Sequence, residues 1–136
     1  MMVSTRGRYA LRLMLDLAER CERDCVPMKE IVERQGISKK YMEQIMPTLS
    51  KAGLVESVHG ANGGYRLTKA PSEYSVWEII SITDGSLAPV ACLSEGAIPC
   101  ARASECKTLA MWERFNAITK DYFSSITLAD LSSGKL

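Results

Sequence analysis

The stretch Gly36–Leu67, "GISKKYMEQIMPTLSKAGLVESVHGANGGYRL", changes period once, near Gly53, and the elements on either side decide the fold. Ser38 has the chemistry of an N-cap for a helix running to about Ala52, and Gly53 stops that helix. An interior proline, Pro47, costs about 3 kcal/mol and predicts a kink, the first two turns pointing differently from the last. Just upstream, Met28, Ile31 and Val32 mark a short amphipathic helix. Gly36 ends it, being tolerant of the left-handed conformation found at helix C-termini. Two helices joined by a short glycine-containing turn outline a helix-turn-helix. Beyond Gly53, Leu54–Val58 and Tyr65–Thr68 read as short strands joined through Gly60, Asn62, Gly63 and Gly64. Those glycines allow positive φ at a tight tip and close approach of the backbone to another surface. A hairpin directly after a helix-turn-helix is a wing.

Working outward, Ala10, Leu11, Leu13, Met14, Leu17 and Ala18 recur at three- and four-residue steps and predict a first helix, fading near Cys21–Cys25 and Pro27. "SVWEIISITDG", residues 75–85, predicts another, with Ser75 as N-cap, Glu78 completing a capping box and Gly85 as the stop. Near the C-terminus, Trp112, Phe115, Thr119, Tyr122 and Ile126 form a heptad-like seam of little more than two heptads. Three aromatics on one seam suit a dimer interface. The expected fold is therefore mainly α, a winged helix-turn-helix domain with a two-stranded wing and a long C-terminal dimerisation helix. Its expected divisions are a DNA-binding domain over 1–85, a cysteine-rich loop over 86–106, and the dimerisation helix with the C-terminal segment over 107–136.

A chain of 136 residues with 46% apolar and 24% charged residues fits one soluble globular domain. Arg6, Arg8, Arg12 and Asp16 interrupt the apolar stretches near the N-terminus, so neither a signal peptide nor a membrane span is expected. The expected location is the cytoplasm, where thiols stay reduced, and five cysteines exclude a complete intrachain disulfide framework. Net charge is only +1, but it is unevenly spread. Residues 1–70 carry 12 Lys/Arg against 8 Asp/Glu, and residues 71–136 carry 5 against 8. A basic first half suits a polyanion.

The reading element is the helix that starts at Ser38. Gln44 has the groups to pair with adenine, and Glu43 can accept from the amino group of cytosine. Ser38, Lys39, Lys40 and Tyr41 are better suited to fixing register on phosphates. At the wing tip, His59 is placed to enter a minor groove or touch a phosphate, with Gly60 beside it. His59 is also the only histidine. With that one base on the wing, no cysteine has the partner a nucleophilic enzyme needs, and an enzyme is not expected.

Cys92, Cys100 and Cys106 share the loop "ACLSEGAIPCARASECKTLAMW", residues 91–112, at spacing C-x7-C-x5-C. Three readings compete for them: buried filler, zinc or thiol-redox chemistry, and an iron–sulfur cluster. Zinc wants four ligands and usually a C-x2-C knuckle, which this loop lacks. Iron–sulfur clusters accept thiolates on irregular loops and tolerate a non-cysteine ligand. Cys21 and Cys25, four residues apart near the end of the first helix, read as structural.

"STRGRYALRLMLDLA" (4–18), Gly36–Leu67 and "SECKTLAMW" (104–112) together resemble the IscR-type branch of winged helix-turn-helix transcription regulators. The resemblance spans Ser4 to Leu131. It implies a homodimer on a roughly palindromic double-stranded operator, with residues 38–44 and the wing as DNA contacts. It also implies a [2Fe–2S] cluster held by Cys92, Cys100 and Cys106. The chain departs from the pattern in its first cysteine interval, which is two residues longer. Leu109 stands where that branch has a histidine, Arg8 where nitric-oxide-sensing relatives have a carboxylate, and His59 where an arginine is common. That leaves the fourth ligand unassigned, with Glu95, Glu105, Thr108 or an external small thiol as candidates. The alternative is a cluster-free thiol-redox or cysteine-metabolism regulator of the same fold.

Overall fold

The computed structural model describes residues 3–136. Its order is α1 (Thr5–Ala18), α2 (Met28–Gln35), α3 (Lys39–Lys51), β1 (Val55–Val58), β2 (Gly64–Leu67), α4 (Val76–Asp84), α5 (Leu109–Ser125) and α6 (Leu128–Ser133), with single 3₁₀ turns at Pro71–Glu73 and Ala91–Leu93. The expected helix-turn-helix, wing and long C-terminal helix are all present.

The local reasons are those the sequence suggested. Ser38 caps α3, its hydroxyl accepting from the Tyr41 N–H at 3.1 Å. Gly36 ends α2 at φ +62°, where a side chain would be strained. The kink expected at Pro47 does not interrupt α3, which runs unbroken from Lys39 to Lys51. Pro47 lies on the exposed side, beside the exposed Glu43 whose carbonyl it leaves unbonded. On the opposite side Met42, Ile45, Met46 and Leu49 are buried and pin the helix. Ser75 does cap α4, accepting from the Glu78 N–H at 3.1 Å. The reciprocal half of the expected capping box is not made, because the Glu78 carboxylate faces Lys69 at 3.4 Å instead.

β1 and β2 pair antiparallel with Val55 opposite Leu67 and Val58 opposite Gly64. A third stretch joins them: Val26 bridges Tyr65, donating and accepting at 2.8 and 2.9 Å. The main core collects Leu13, Met14 and Leu17 of α1, Ile31 of α2, the buried face of α3, Tyr74, Ile79 and Leu128. A second cluster of Val76, Ile80, Leu87 and Ile126, with Trp77 and Phe123 against it, holds α5 to α4.

The structure adds two features to the C-terminal part. The segment assigned with the dimerisation helix returns to the winged domain: Leu128 is wholly buried in the main core and its N–H donates to the Tyr74 carbonyl at 3.1 Å. The expected seam also divides. Trp112, Thr119 and Ile126 turn toward their own domain, whereas Phe115 and Tyr122 lie on a different stripe. That stripe runs Met111, Phe115, Ile118 and Tyr122, which are 54%, 46%, 52% and 58% exposed. Steps of four, three and four place these side chains in one line along the helix.

One buried charge organises the helix-turn-helix. Asp16 on α1 is 1% exposed. The Arg34 guanidinium grips it with two hydrogen bonds of 3.0 and 2.8 Å, and the Gln35 amide donates a third at 2.8 Å. Arg34 also meets Glu30 at 3.2 Å, and Glu30 meets Arg23 at 2.7 Å. Burial pushes the Asp16 carboxyl up, but the donors from Arg34 and Gln35 outweigh it and hold the group below its ordinary value. Glu30 is drawn down to about 2 by its bonds from Arg23 and Arg34.

Folded-state values below the unfolded ones contribute stability above the unfolded pKa and lose it as pH falls through the folded one. The melting temperature should therefore hold above about pH 5 and fall as the pH drops from there toward about 2. Arg34→Met should flatten that slope in circular-dichroism melts. At neutral pH the same variant should cost about 2–3 kcal/mol, less than a fully buried pair because Arg34 keeps some solvent.

Candidate nucleic-acid interface

The N-terminal half of α3 presents Ser38, Lys39, Lys40, Glu43 and Gln44 to solvent. Lys39 and Glu43 stand one turn apart at 3.9 Å, a loose pair that leaves both heads hydrated. Tyr41 differs from its neighbours. It is half-buried, its ring meeting the Tyr9 ring edge-on at 5.1 Å and 76°, while the Arg12 guanidinium lies 5.4 Å from the Tyr9 ring.

Reasoning from sequence missed the α1 cations that brace the two helices of the helix-turn-helix. Arg6 of α1 reaches across to Thr48 Oγ1 at 2.8 Å and to the Gln44 carbonyl at 3.4 Å. Arg12 donates to the Gln35 side chain at 3.2 Å and to the Gln35 carbonyl at the end of α2. The only signal was a run of arginines in the first helix, with nothing to say which way they pointed.

At the hairpin tip His59 and Gly60 are exposed. Gly60 adopts φ +111°, open to glycine alone among common residues, and its carbonyl accepts from Gly63 at 3.1 Å. Gly64 answers a different need: a Cβ there would stand 2.2 Å from the Val26 carbonyl oxygen. Cys25 takes part in the same junction, its thiol donating to the Asn62 carbonyl at 3.1 Å. Cys21 and Cys25 are not helical neighbours, because α1 stops at Ala18. Cys21 is exposed and Cys25 half-buried, on the turn that leads to the Val26 bridge.

Behind the wing, Tyr74 is fully buried. Its hydroxyl donates to the Leu54 carbonyl at 2.7 Å and accepts from the Thr68 and Lys69 N–H groups at 2.9 and 3.2 Å. It thus gathers both outer ends of the hairpin.

The cysteine loop lies between α4 and α5. Cys92 sits in the Ala91–Leu93 turn, and Cys92, Cys100 and Cys106 are all exposed. Among the described residues no three His, Cys, Asp or Glu side chains gather closely enough to hold a metal. The donors are chemically suited to a thiolate-bound group, but they are not preassembled. Of the candidate fourth ligands, Thr108 places its Oγ1 3.3 Å from the Cys106 sulfur. That side-chain bond, with backbone N–H groups of Thr108 and Leu109, draws the Cys106 thiol below its ordinary value. No described helix is long and apolar enough to cross a membrane.

Comparison with known proteins places this architecture. Residues 3–134 match the Rrf2 family, described as "Iron-dependent Transcriptional regulator". The chain is 40% identical over 131 residues to the HTH-type transcriptional regulator IscR of Klebsiella pneumoniae, covering 96% of this chain and 79% of that one. It is 38% identical over 133 residues to IscR of Vibrio vulnificus, covering 98% and 78%. Among solved structures it resembles CymR, the global cysteine regulator of B. subtilis, with TM-score 0.80 and 33% identity over 100% of this chain and 99% of that one. T. potens IscR gives TM-score 0.79 and 35% identity over 100% and 89%.

The wing's attachment is open to a direct check. Gly64→Ala should separate Val26 from Tyr65, so hydrogen exchange at those two amides should accelerate at least tenfold while the core amides of α3 stay protected. From helix-turn-helix, wing and these relatives together, the chain belongs to the Rrf2 family of transcription regulators.

Proposed function

We propose that the protein is a homodimeric, DNA-binding regulator of the cytoplasm that responds to iron–sulfur or redox status through its three-cysteine loop. One observation carries this reading: a braced α3 with an exposed polar N-terminal half and a wing share one chain with an unpartnered apolar stripe on α5. Four large side chains about half exposed in one line suit a second copy, since an interface core favours large apolar anchors. A twofold axis there would present two α3 helices to successive major grooves, about 34 Å apart on a roughly palindromic operator. Glu43 and Gln44 would read base edges. Ser38, Lys39, Lys40 and Tyr41 would hold phosphates, and His59 and Gly60 would reach the flanking groove.

For the signal, the IscR relatives and the family's iron-dependent description support a [2Fe–2S] cluster held by Cys92, Cys100 and Cys106. A bound cluster would supply iron- and oxidant-sensitive ligation. The exposed thiols are free to be drawn together, so ligation would be coupled to ordering of the loop. A second reading has its own support. The structure resembles a cysteine regulator equally well, and the Cys106 thiol is exposed and drawn toward its thiolate by the Thr108 hydroxyl. In that reading the thiols are oxidised reversibly without a cluster.

Two measurements test the proposal. Ile118→Glu should convert a dimer to a monomer by light scattering, keep the helical circular dichroism, and weaken operator binding at least tenfold. Protein purified without oxygen should carry about two irons and two sulfides per chain, matching the [2Fe–2S] stoichiometry. Both should be lost in Cys92→Ala, along with the dependence of operator affinity on iron. Colourless protein that fails to take up iron and sulfide, but loses operator binding on mild oxidation, would replace the cluster by thiol chemistry.

A further inference from the structure

A cavity of about 710 Å³ opens between α4, α5 and the cysteine loop, away from α3 and the wing. Its apolar lining includes Trp77 of α4 and Leu93 of the loop; its polar lining includes Glu95 of the loop with Asn116 and Lys120 of α5. Such a volume falls within the roughly 300–1,000 Å³ usual for small-molecule sites.

Two opposite charges line it without meeting, unlike Arg23 with Glu30, Arg66 with Glu56 or Lys69 with Glu78. Lys120 and Glu95 line one cavity, yet neither takes part in an ion pair of 4.0 Å or less among the described residues, with each other or with anything else. The Lys120 ammonium instead lies 5.9 Å from the Trp77 ring centre. At the same wall Ser81 keeps a hydroxyl that is out of reach of solvent and has no hydrogen-bond partner.

We propose that this cavity is a binding site for a small zwitterion, an amino acid or short peptide with a free ammonium and a free carboxylate. Lys120 takes the carboxylate and Glu95 the ammonium. Asn116 serves a further polar group, and Trp77 with Leu93 receives an apolar or sulfur-bearing side chain. A polyanion is a poor fit, since one cation faces the space. A wholly apolar ligand is a poor fit too, since it would desolvate both charges without replacing their water. Because the ligand would touch α4, α5 and the loop beside Cys92 at once, it would hold the loop against both helices. This site does not rest on the reading of α3 or on a bound cluster.

Titration calorimetry on the full chain tests it, using the free amino acids and a set of di- and tripeptides, each beside its N-acetyl and C-terminal amide forms. At least one unblocked compound should bind saturably at one per chain, and blocking either end should weaken it at least tenfold. Lys120→Met and Glu95→Gln change exposed side chains, and each should cost at least tenfold while leaving the circular dichroism unchanged. Whether amino acids or peptides bind more tightly identifies the source. Absence of saturable heat from every compound would overturn the proposal. So would equal binding of the blocked forms, or unchanged affinity in both variants.

Discussion

The Tyr74 hydroxyl is the point on which the reading apparatus hangs. Buried in the main core, it satisfies a carbonyl where α3 gives way to β1 and two N–H groups where β2 ends. Backbone groups left unpaired there would each carry a desolvation cost of about 1–3 kcal/mol. A two-stranded hairpin is marginal by itself in water. The wing therefore keeps its direction relative to α3 because both of its ends meet at one buried phenol, with Val26 steadying the far strand.

A second set of polar contacts relates α3 to the opposite side of the molecule. Asp84, the last residue of α4, receives the Ser4 N–H at 2.9 Å and the Ser4 hydroxyl. It lies so close to Gly7 that a Cβ there would stand 2.8 Å from its carboxylate. A carboxylate at the start of α1 is favoured by the unpaired N–H groups and the helix dipole. Arg6, two residues past that cap, holds Thr48 of α3. Thus the helix that leads into the cysteine loop and the helix that faces outward at Lys39 and Lys40 are joined through one turn of α1. Small displacements of α4 have a short polar route to α3.

Much of this was legible in the residues themselves, because helix stops and wing turns are local chemistry. Ser38, Gly36, Gly53 and the glycines at 60, 63 and 64 act within a few positions of where they stand. Asp16 was not legible. On a helical repeat it reads as one more hydrated charge, and its partners Arg34 and Gln35 lie eighteen and nineteen residues away. The seam on α5 was half legible. Two apolar lines run along that helix, and periodicity alone does not say which one meets α4 and which is left bare. The loop cysteines were conspicuous by type and spacing, but their arrangement depends on a backbone with little regular structure of its own.

The return of the chain at Leu128 has a consequence for synthesis. Leu128 enters the same core as Leu13 and Met14, more than a hundred residues earlier. Contacts so distant in sequence form late, since the intervening chain must be ordered before they are gained. As the protein emerges from the ribosome, the apolar face of α1 therefore stays without its last cover until α6 has been made. During that interval the nascent chain exposes the surfaces that chaperones recognise and that aggregate when crowded.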